Sequence, residues 1–106
     1  MYIASSNNFT MKRAIVKNSY SYFGGVIKTS DKNNIDIYDT IFENNWGEYG
    51  GVFHVFEKDK IYLKNCSFIN NRATIGNIVH AAKYIDMTFE NVSIEISKEF
   101  TSEATT

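Results

Sequence analysis

The stretch Gly24-Gly25-Val26-Ile27 decides the fold class, because it returns as Gly50-Gly51-Val52-Phe53 and again as Gly76-Asn77-Ile78-Val79. Each return comes after 26 residues. A fixed period of about 20 to 50 residues is typical of solenoids, propellers and other repeat architectures. The sequence therefore predicts a repetitive fold in which residues 26 apart are equivalent, and we call each set of equivalent residues a column.

Two further landmarks keep the same period. Val16-Lys17-Asn18 returns as Phe42-Glu43-Asn44 and Phe68-Ile69-Asn70, and Ile35-Asp36-Ile37 returns as Ile61-Tyr62-Leu63 and Met87-Thr88-Phe89. Phe9 and Met11 lie one period before Ile35 and Ile37, which extends the repeat over residues 9–94. The twelve asparagines could supply stray matches to the second landmark, but they would not also align the glycines.

Each 26-residue unit has the pattern of short strands rather than helices. The segment 35–37 and its equivalents alternate apolar with polar residues, which is the period of a half-buried strand. The residues after the glycines are β-branched and aromatic, and a third strand is expected around 42–44. Three strands and three polar turns per unit predict one coil of a parallel β-helix. We expect three clear coils with partial ones at the ends over residues 1–96, and a polar tail or linker over 97–106.

Stacked coils would turn each column into a ladder, because neighbouring strands lie about 4.8 Å apart. Phe42 and Phe68 are predicted to fill the core. The glycine columns fit positions where the backbone takes a positive φ or packs too closely for a Cβ atom. Those columns contain Gly24, Gly25, Gly50, Gly51 and Gly76. A ladder of side-chain amides that bond from coil to coil is predicted at Asn18, Asn44 and Asn70.

A leucine-rich-repeat solenoid is the alternative fold, since those repeats run about 20 to 29 residues and Ile61–Cys66 loosely matches their strand consensus. Their convex side needs a helix or 3₁₀ turn with spaced leucines. This chain has one leucine, and double glycines stand where the helix would be required.

The joint phasing of Gly-Gly-apolar-apolar with Phe-x-x-Asn resembles the repeats of polymorphic outer-membrane proteins, a family of pectin-lyase-like right-handed parallel β-helices. The matching residues are Gly24–Ile27, Gly50–Phe53, Phe42–Asn44 and Phe68–Asn70, while Asn77 and Val16 depart from the pattern. The resemblance implies a right-handed coil and an adhesive solenoid at the cell surface or outside the cell, often within a longer chain. It implies no catalytic residue.

Composition and charge exclude several classes of protein. The 106 residues allow one small domain, and 43% hydrophobic residues exclude a disordered chain. A net charge of -1 gives no electrostatic footprint for nucleic acid. The sequence has no run of about 18 apolar residues, so this segment is not expected to insert into a membrane. The first eight residues lack the basic and apolar regions of a signal peptide.

Candidate chemistry is sparse. Carboxylates do not recur in neighbouring columns as a glycosidase pair would require, because Asp36 is followed by Tyr62 and Thr88. Cys66 shares a column with Thr40 and Val92, which predicts a small buried side chain rather than a nucleophile or a disulfide partner. We therefore expect neither an enzyme nor a cofactor.

Two columns are candidates for a partner surface. Tyr20, Trp46 and Arg72 form one column, in which Trp46 and Arg72 could make a cation–π contact on the outer face. His54 and His80 form another, expected to be an exposed ladder of polar rings rather than a metal site, since a third ligand is missing. Asn-x-Ser/Thr sequences make three positions candidates for glycosylation: Asn8, Asn65 and Asn91.

The function expected from the sequence is a structural or adhesive repeat segment of a larger extracellular or surface assembly. Further coils of the same chain or protein partners would cover the open ends of the solenoid, and glycans are a further candidate partner. Two alternatives stay open. One is a β-helix module that binds or degrades polysaccharide, and the other is an intracellular scaffold subunit, suggested by the lone cysteine and the missing signal peptide.

Overall fold

The computed structural model describes residues 1–81, 83 and 85–95, which form strands and turns with no helix. None of these residues belongs to a helix long and apolar enough to cross a bilayer. The tail predicted over residues 97–106 lies outside the described residues. The strands are β1 (Tyr2–Ile3), β2 (Asn8–Lys12), β3 (Ile15–Lys17), β4 (Tyr20–Phe23), β5 (Ile27–Asp31), β6 (Asn34–Tyr38), β7 (Ile41–Glu43), β8 (Trp46–Tyr49), β9 (Phe53–Glu57), β10 (Lys60–Lys64), β11 (Ser67–Ile69), β12 (Arg72–Ile75), β13 (Val79–Ala81), β14 (Asp86–Glu90) and β15 (Ser93–Glu95).

Four parallel sheets run along a β-solenoid of about four turns. Their strand orders are β1-β5-β9-β13, β2-β6-β10-β14, β3-β7-β11-β15 and β4-β8-β12. Every pairing keeps the 26-residue register, so Ile35 lies beside Ile61 and Phe42 beside Phe68. The predicted parallel β-solenoid is confirmed. The leucine-rich-repeat alternative is wrong, because the described chain contains no helix for its convex side.

Each complete coil has four strands rather than the three predicted. The additional strand is β8 in the second coil, with β4 and β12 as its equivalents. Its inward-facing column contains Ser21, Gly47 and Ala73, of which Gly47 and Ala73 are buried. Such small side chains produce no alternation of large apolar and polar residues, which is why the sequence does not show this strand.

Four corners separate the strands, and each corner residue has a positive φ. The corners of the second coil are Lys32, Asp39, Asn44 and Gly50, with φ between 52° and 82°. Asparagine and aspartate tolerate this left-handed conformation better than most residues, because their short polar side chains can bond locally. Asn18, Asn44 and Asn70 therefore set the bend before β4, β8 and β12.

The core consists of ladders of equivalent apolar side chains. Phe42 and Phe68 are 0% and 1% exposed, and their rings stack with centroids 5.0 Å apart and planes 10° apart. Phe53 meets both rings edge-on from another sheet. The predicted aromatic core column is confirmed, and burial of such side chains contributes roughly 1.5–3 kcal/mol each.

The amide ladder lies one residue after the predicted position. The Asn71 Oδ1 accepts bonds from the backbone N–H of Asn45 at 3.0 Å and from its Nδ2 at 2.9 Å. Asn45 and Asn71 also donate to the carbonyl oxygens of Val16 and Phe42 in the preceding coil. The amide ladder predicted at Asn18, Asn44 and Asn70 is therefore wrong by one position. Those three residues form the corner, and the ladder lies at the residues that follow them.

A second polar ladder crosses the interior beside β5. Asp59 is 1% exposed, and its carboxylate accepts bonds from the hydroxyl of Thr29 and from both the backbone N–H and the Nδ2 of Asn33. Asn33 in turn accepts a bond from the backbone N–H of Asn7. Buried polar groups are stable only when paired, so these bonds hold the first three coils in register.

The paired glycines have two separate roles, both of which were predicted. Gly50 has a φ of +82°, and a Cβ atom there would overlap the carbonyl oxygen of Phe53. Gly51 has an ordinary φ, but a Cβ atom there would overlap the carbonyl oxygen of Asn77 in the next coil. Asn77 replaces the second glycine in the third coil, where its Oδ1 accepts a bond from the N–H of Ala73.

We expect Gly50→Val to destabilise the protein more than the core change Ile37→Val, which typically costs about 0.5–1.5 kcal/mol. A valine at Gly50 would combine the strain of a positive φ with a backbone overlap. Urea denaturation followed by circular dichroism measures both free energies of unfolding. An equal or smaller loss for Gly50→Val would contradict the role of this corner.

Asn71→Leu should lower the free energy of unfolding by about 2–6 kcal/mol, since each buried polar group left unpaired costs roughly 1–3 kcal/mol. Asn44→Lys is the matched control, because Lys32 and Lys58 already occupy corners with the same φ. It should cost about 1 kcal/mol, because lysine tolerates the left-handed conformation less well than asparagine but no buried bond is lost. Equal losses for the two variants would mean that the ladder does not lie at Asn45 and Asn71.

Candidate functional site

The predicted surface column begins at the first residues of β4, β8 and β12. After the asparagine corner, the amide-ladder residue and the small-column residue both point inward, which leaves the residue between them, Tyr20, Trp46 or Arg72, facing outward. Their Cα atoms are partners in the parallel register. The structure thus brings together all three residues of the predicted column.

A tilted ring–ring contact and a cation–π contact fix the geometry of this column. The rings of Tyr20 and Trp46 have centroids 4.7 Å apart and planes 51° apart. The guanidinium carbon of Arg72 lies 5.0 Å from the centroid of the Trp46 ring, which is the predicted cation–π contact. Tyr20 remains 56% exposed and Trp46 42% exposed, so both rings retain area for a ligand.

A shallow groove of about 360 Å³ runs beside these three side chains across three coils. Its other wall is the corner column of asparagines together with the start of the amide ladder. We call it the aromatic–asparagine groove, and it is lined by Tyr20, Trp46, Arg72, Asn18, Asn44, Asn70, Ser19 and Asn45. The groove therefore combines aromatic faces with amide donors and acceptors and one guanidinium.

The two histidines form a stacked pair, but the exposed ladder predicted for them is wrong. Their ring centroids are 5.0 Å apart, and His54 is only 7% exposed. Phe23 of β4 packs edge-on against His54, and Tyr49 of β8 packs against His80. The prediction missed this cover because it comes from the strand that the sequence did not show.

The environment of His54 disfavours its charged form. Burial lowers the pKa of His54 below its ordinary value, and the nearby charges of His80 and Lys28 lower it further. The Nδ1 atoms of both histidines are buried without a hydrogen-bond partner in the described part of the chain. Among the described residues, no group of three histidine, cysteine, aspartate or glutamate side chains could hold a metal ion.

Two of the candidate glycosylation residues, Asn65 and Asn91, lie at exposed corners and belong to a ladder of their own. The Nδ2 of Asn91 donates to the Oδ1 of Asn65 at 2.6 Å, and the Nδ2 of Asn65 donates to the Oδ1 of Asp39 at 3.2 Å. The third candidate, Asn8, accepts a bond from Asn34 at the start of β2. Attachment of a glycan at Asn65 or Asn91 would therefore compete with a corner hydrogen bond.

Cys66 is buried as predicted. It is 1% exposed, and its Sγ lies 3.4 Å from the carbonyl oxygen of Lys64 and 3.6 Å from that of Ile37. Burial raises the pKa of the Cys66 thiol, which keeps it protonated at neutral pH.

Contrary to the sequence expectation, two acids do share a column in successive coils, since Asp31 of β5 lies beside Glu57 of β9. Two other acidic side chains line a second groove. Asp36 and Asp86 lie on the walls of this groove of about 310 Å³, with Lys60 and Tyr62 in the strand between them. The two aspartates are two coils apart, or about 10 Å along the stack.

Comparison with protein-family models, with curated protein sequences and with solved structures gave no match to this chain.

Stability should depend on pH through His54. Because its pKa is lower in the folded state than in the unfolded chain, the unfolded chain binds the proton more readily as the pH falls. The free energy of unfolding should therefore be unaffected by this group above about pH 6.5 and should decrease below it. Melting temperatures of wild-type protein and His54→Phe between about pH 7.5 and 5.5 measure this dependence.

His54→Phe keeps an aromatic ring beside Phe23 and His80 but cannot bind a proton. We expect its melting temperature to fall less than that of the wild type over this range. An identical fall in both proteins would show that His54 does not contribute.

Proposed function

We propose that this chain is a non-catalytic, structural and adhesive β-solenoid segment of a larger surface or extracellular assembly, and that the aromatic–asparagine groove contacts a saccharide. The observation that carries the proposal is the exposed Tyr20–Trp46–Arg72 column beside a column of asparagines. We also propose that the chain is related to the polymorphic outer-membrane-protein repeats that its sequence resembles.

The chemistry of the groove fits a saccharide. Sugar rings present C–H faces that pack on aromatic rings and hydroxyl groups that both donate and accept hydrogen bonds. Tyr20 and Trp46 supply the aromatic area, and the amides of Asn18, Asn44 and Asn70 supply donors and acceptors. Arg72 adds a planar donor at the far end of the column.

The coil supports such a role by holding the groove rigid. Each wall residue lies at a corner or one or two residues after it, and the corner N–H donates to the next coil, as in the bond from Asn44 to the carbonyl of Ile69 at 2.9 Å. A groove that is formed before the ligand arrives loses little conformational freedom on binding, which favours affinity.

The non-catalytic part of the proposal is supported by the placement of the carboxylates. Of the directly paired Asp31 and Glu57, Glu57 is held in an ion pair with Lys83 at 3.4 Å. Asp36 and Asp86 are two coils apart. Lys60 and Tyr62 also lie in the strand between them. The alternative of a polysaccharide-degrading module would require reducing ends to appear when the protein is incubated with a polysaccharide.

The proposed location at the surface or outside the cell rests on the Asn-x-Ser sequences at the exposed corners Asn65 and Asn91, whose amides would exchange a corner hydrogen bond for a glycan. Glycan mass on either residue in protein from its native source would exclude the alternative of an intracellular scaffold subunit. Glycan-free protein recovered with an intracellular complex would favour that alternative.

Trp46→Ala should weaken saccharide binding by at least about ten-fold, the equivalent of about 1.4 kcal/mol, because it removes the central ring of the column. Glycan-array screening of the wild type identifies the saccharide, and affinity electrophoresis in that polysaccharide measures the change.

Phe56→Ala is the matched control, since Phe56 is also 42% exposed but lies outside the groove. It should bind as the wild type does. Equal loss in both variants, or wild-type protein that retains no saccharide, would contradict the proposal.

A further inference from the structure

Charge is segregated between the two ends of the solenoid. The first coil, residues 1–24, carries Lys12, Arg13 and Lys17 and no acid, whereas the described residues of the last coil, from 79 to 95, carry Asp86, Glu90 and Glu95 and one lysine, Lys83. The first set includes the outer strands β2 and β3, and the second belongs to the outer strands β14 and β15 of the same two sheets in the described chain. One end of the stack is therefore basic and the other acidic.

The apolar columns also remain open at these ends. Phe89 of β14 and Ile94 of β15 are 43% and 45% exposed, although the residues one coil below them, Leu63 and Phe68, are buried. At the opposite end, Met11 and Val16 are only half-buried. In the part of the chain that the structure describes, both ends thus expose apolar side chains together with the unpaired backbone groups of strands β2 and β14, which are competent to bind another strand.

Adding a second copy in the same parallel register would pair β14 with β2 and β15 with β3, and the paired residues match in polarity and charge. Continuation of the columns by one coil would place Met11 beside Phe89 and Val16 beside Ile94. The same register would place Lys12 beside Glu90 and Lys17 beside Glu95. Opposite charges on directly paired residues stabilise a sheet, whereas like charges destabilise it.

We propose that the acidic end, formed by β14 and β15, binds the basic end, formed by β2 and β3, of a second copy of this chain. The contact extends two sheets from one molecule into the next. It is head-to-tail, so each bound copy exposes a fresh acidic or basic end and the assembly grows along the solenoid axis. This inference does not depend on the saccharide groove, which lies on the side of the stack.

Two charge variants test the contact in the full chain. Lys12→Glu places a carboxylate opposite Glu90, and Glu95→Lys places an ammonium group opposite Lys17. In neither variant does the directly paired residue of the same molecule carry a like charge, because Lys12 pairs with Tyr38 and Glu95 with Ile69. Sedimentation velocity from about 1 µM to about 1 mM covers moderate to weak association.

We expect wild-type protein to form dimers and longer species as its concentration rises. Each variant alone should require at least a ten-fold higher concentration, on the order of what a like-charged contact imposes. An equimolar mixture should stop at dimers, because the acidic end of Lys12→Glu fits the basic end of Glu95→Lys while the other joint is repulsive at both positions.

Lys32→Glu is the control, since it makes the same charge change at an exposed corner of the second coil, away from both ends. It should assemble as the wild type does, and circular dichroism should show all three variants folded. Any of four results would overturn the proposal. The first two are wild-type protein that stays monomeric throughout and end variants that assemble as the wild type does. The others are a mixture that either forms no dimers or grows beyond dimers, and a loss of assembly in Lys32→Glu equal to that of the end variants.

Discussion

Parallel backbone hydrogen bonds between strands 26 residues apart are the interaction on which the rest of the structure depends. They place every side chain beside its equivalent in the next coil, so one choice of residue type is repeated through the stack. A slip of one residue would turn the inward side chains of a strand outward. The Phe42–Phe68 stack, the Asn45–Asn71 ladder and the Trp46–Arg72 contact would then all be lost together.

Much of the fold could be predicted because the register repeats at positions where few residue types are compatible with the structure. Gly50 and Gly51 mark a corner that a Cβ atom would block, and Phe42 and Phe68 mark the core beside it. Their common period determines the coil length without any knowledge of the strand order. The outward column at Trp46 could also be predicted, because sharing a column is sufficient to bring its side chains together.

The remaining features depend on which way neighbouring residues point, which the repeat does not specify. Asn44 and Asn45 are identical in type, yet one forms the corner and the other the buried ladder. The strand β8 has Gly47 as its inward residue and so lacks an apolar signature. Because the sequence does not reveal β8, it also does not reveal that Tyr49 of this strand packs against the histidine pair.

Proton NMR of the wild-type protein tests the register most directly, because parallel strands bring backbone protons of paired residues close together. Nuclear Overhauser contacts should connect backbone protons in residue pairs that lie 26 positions apart. These pairs are Ile35 with Ile61, Phe42 with Phe68, and Trp46 with Arg72. Backbone contacts between strands at a spacing other than about 26 residues, or the close Hα–Hα pairs of antiparallel strands, would contradict the stacked coil.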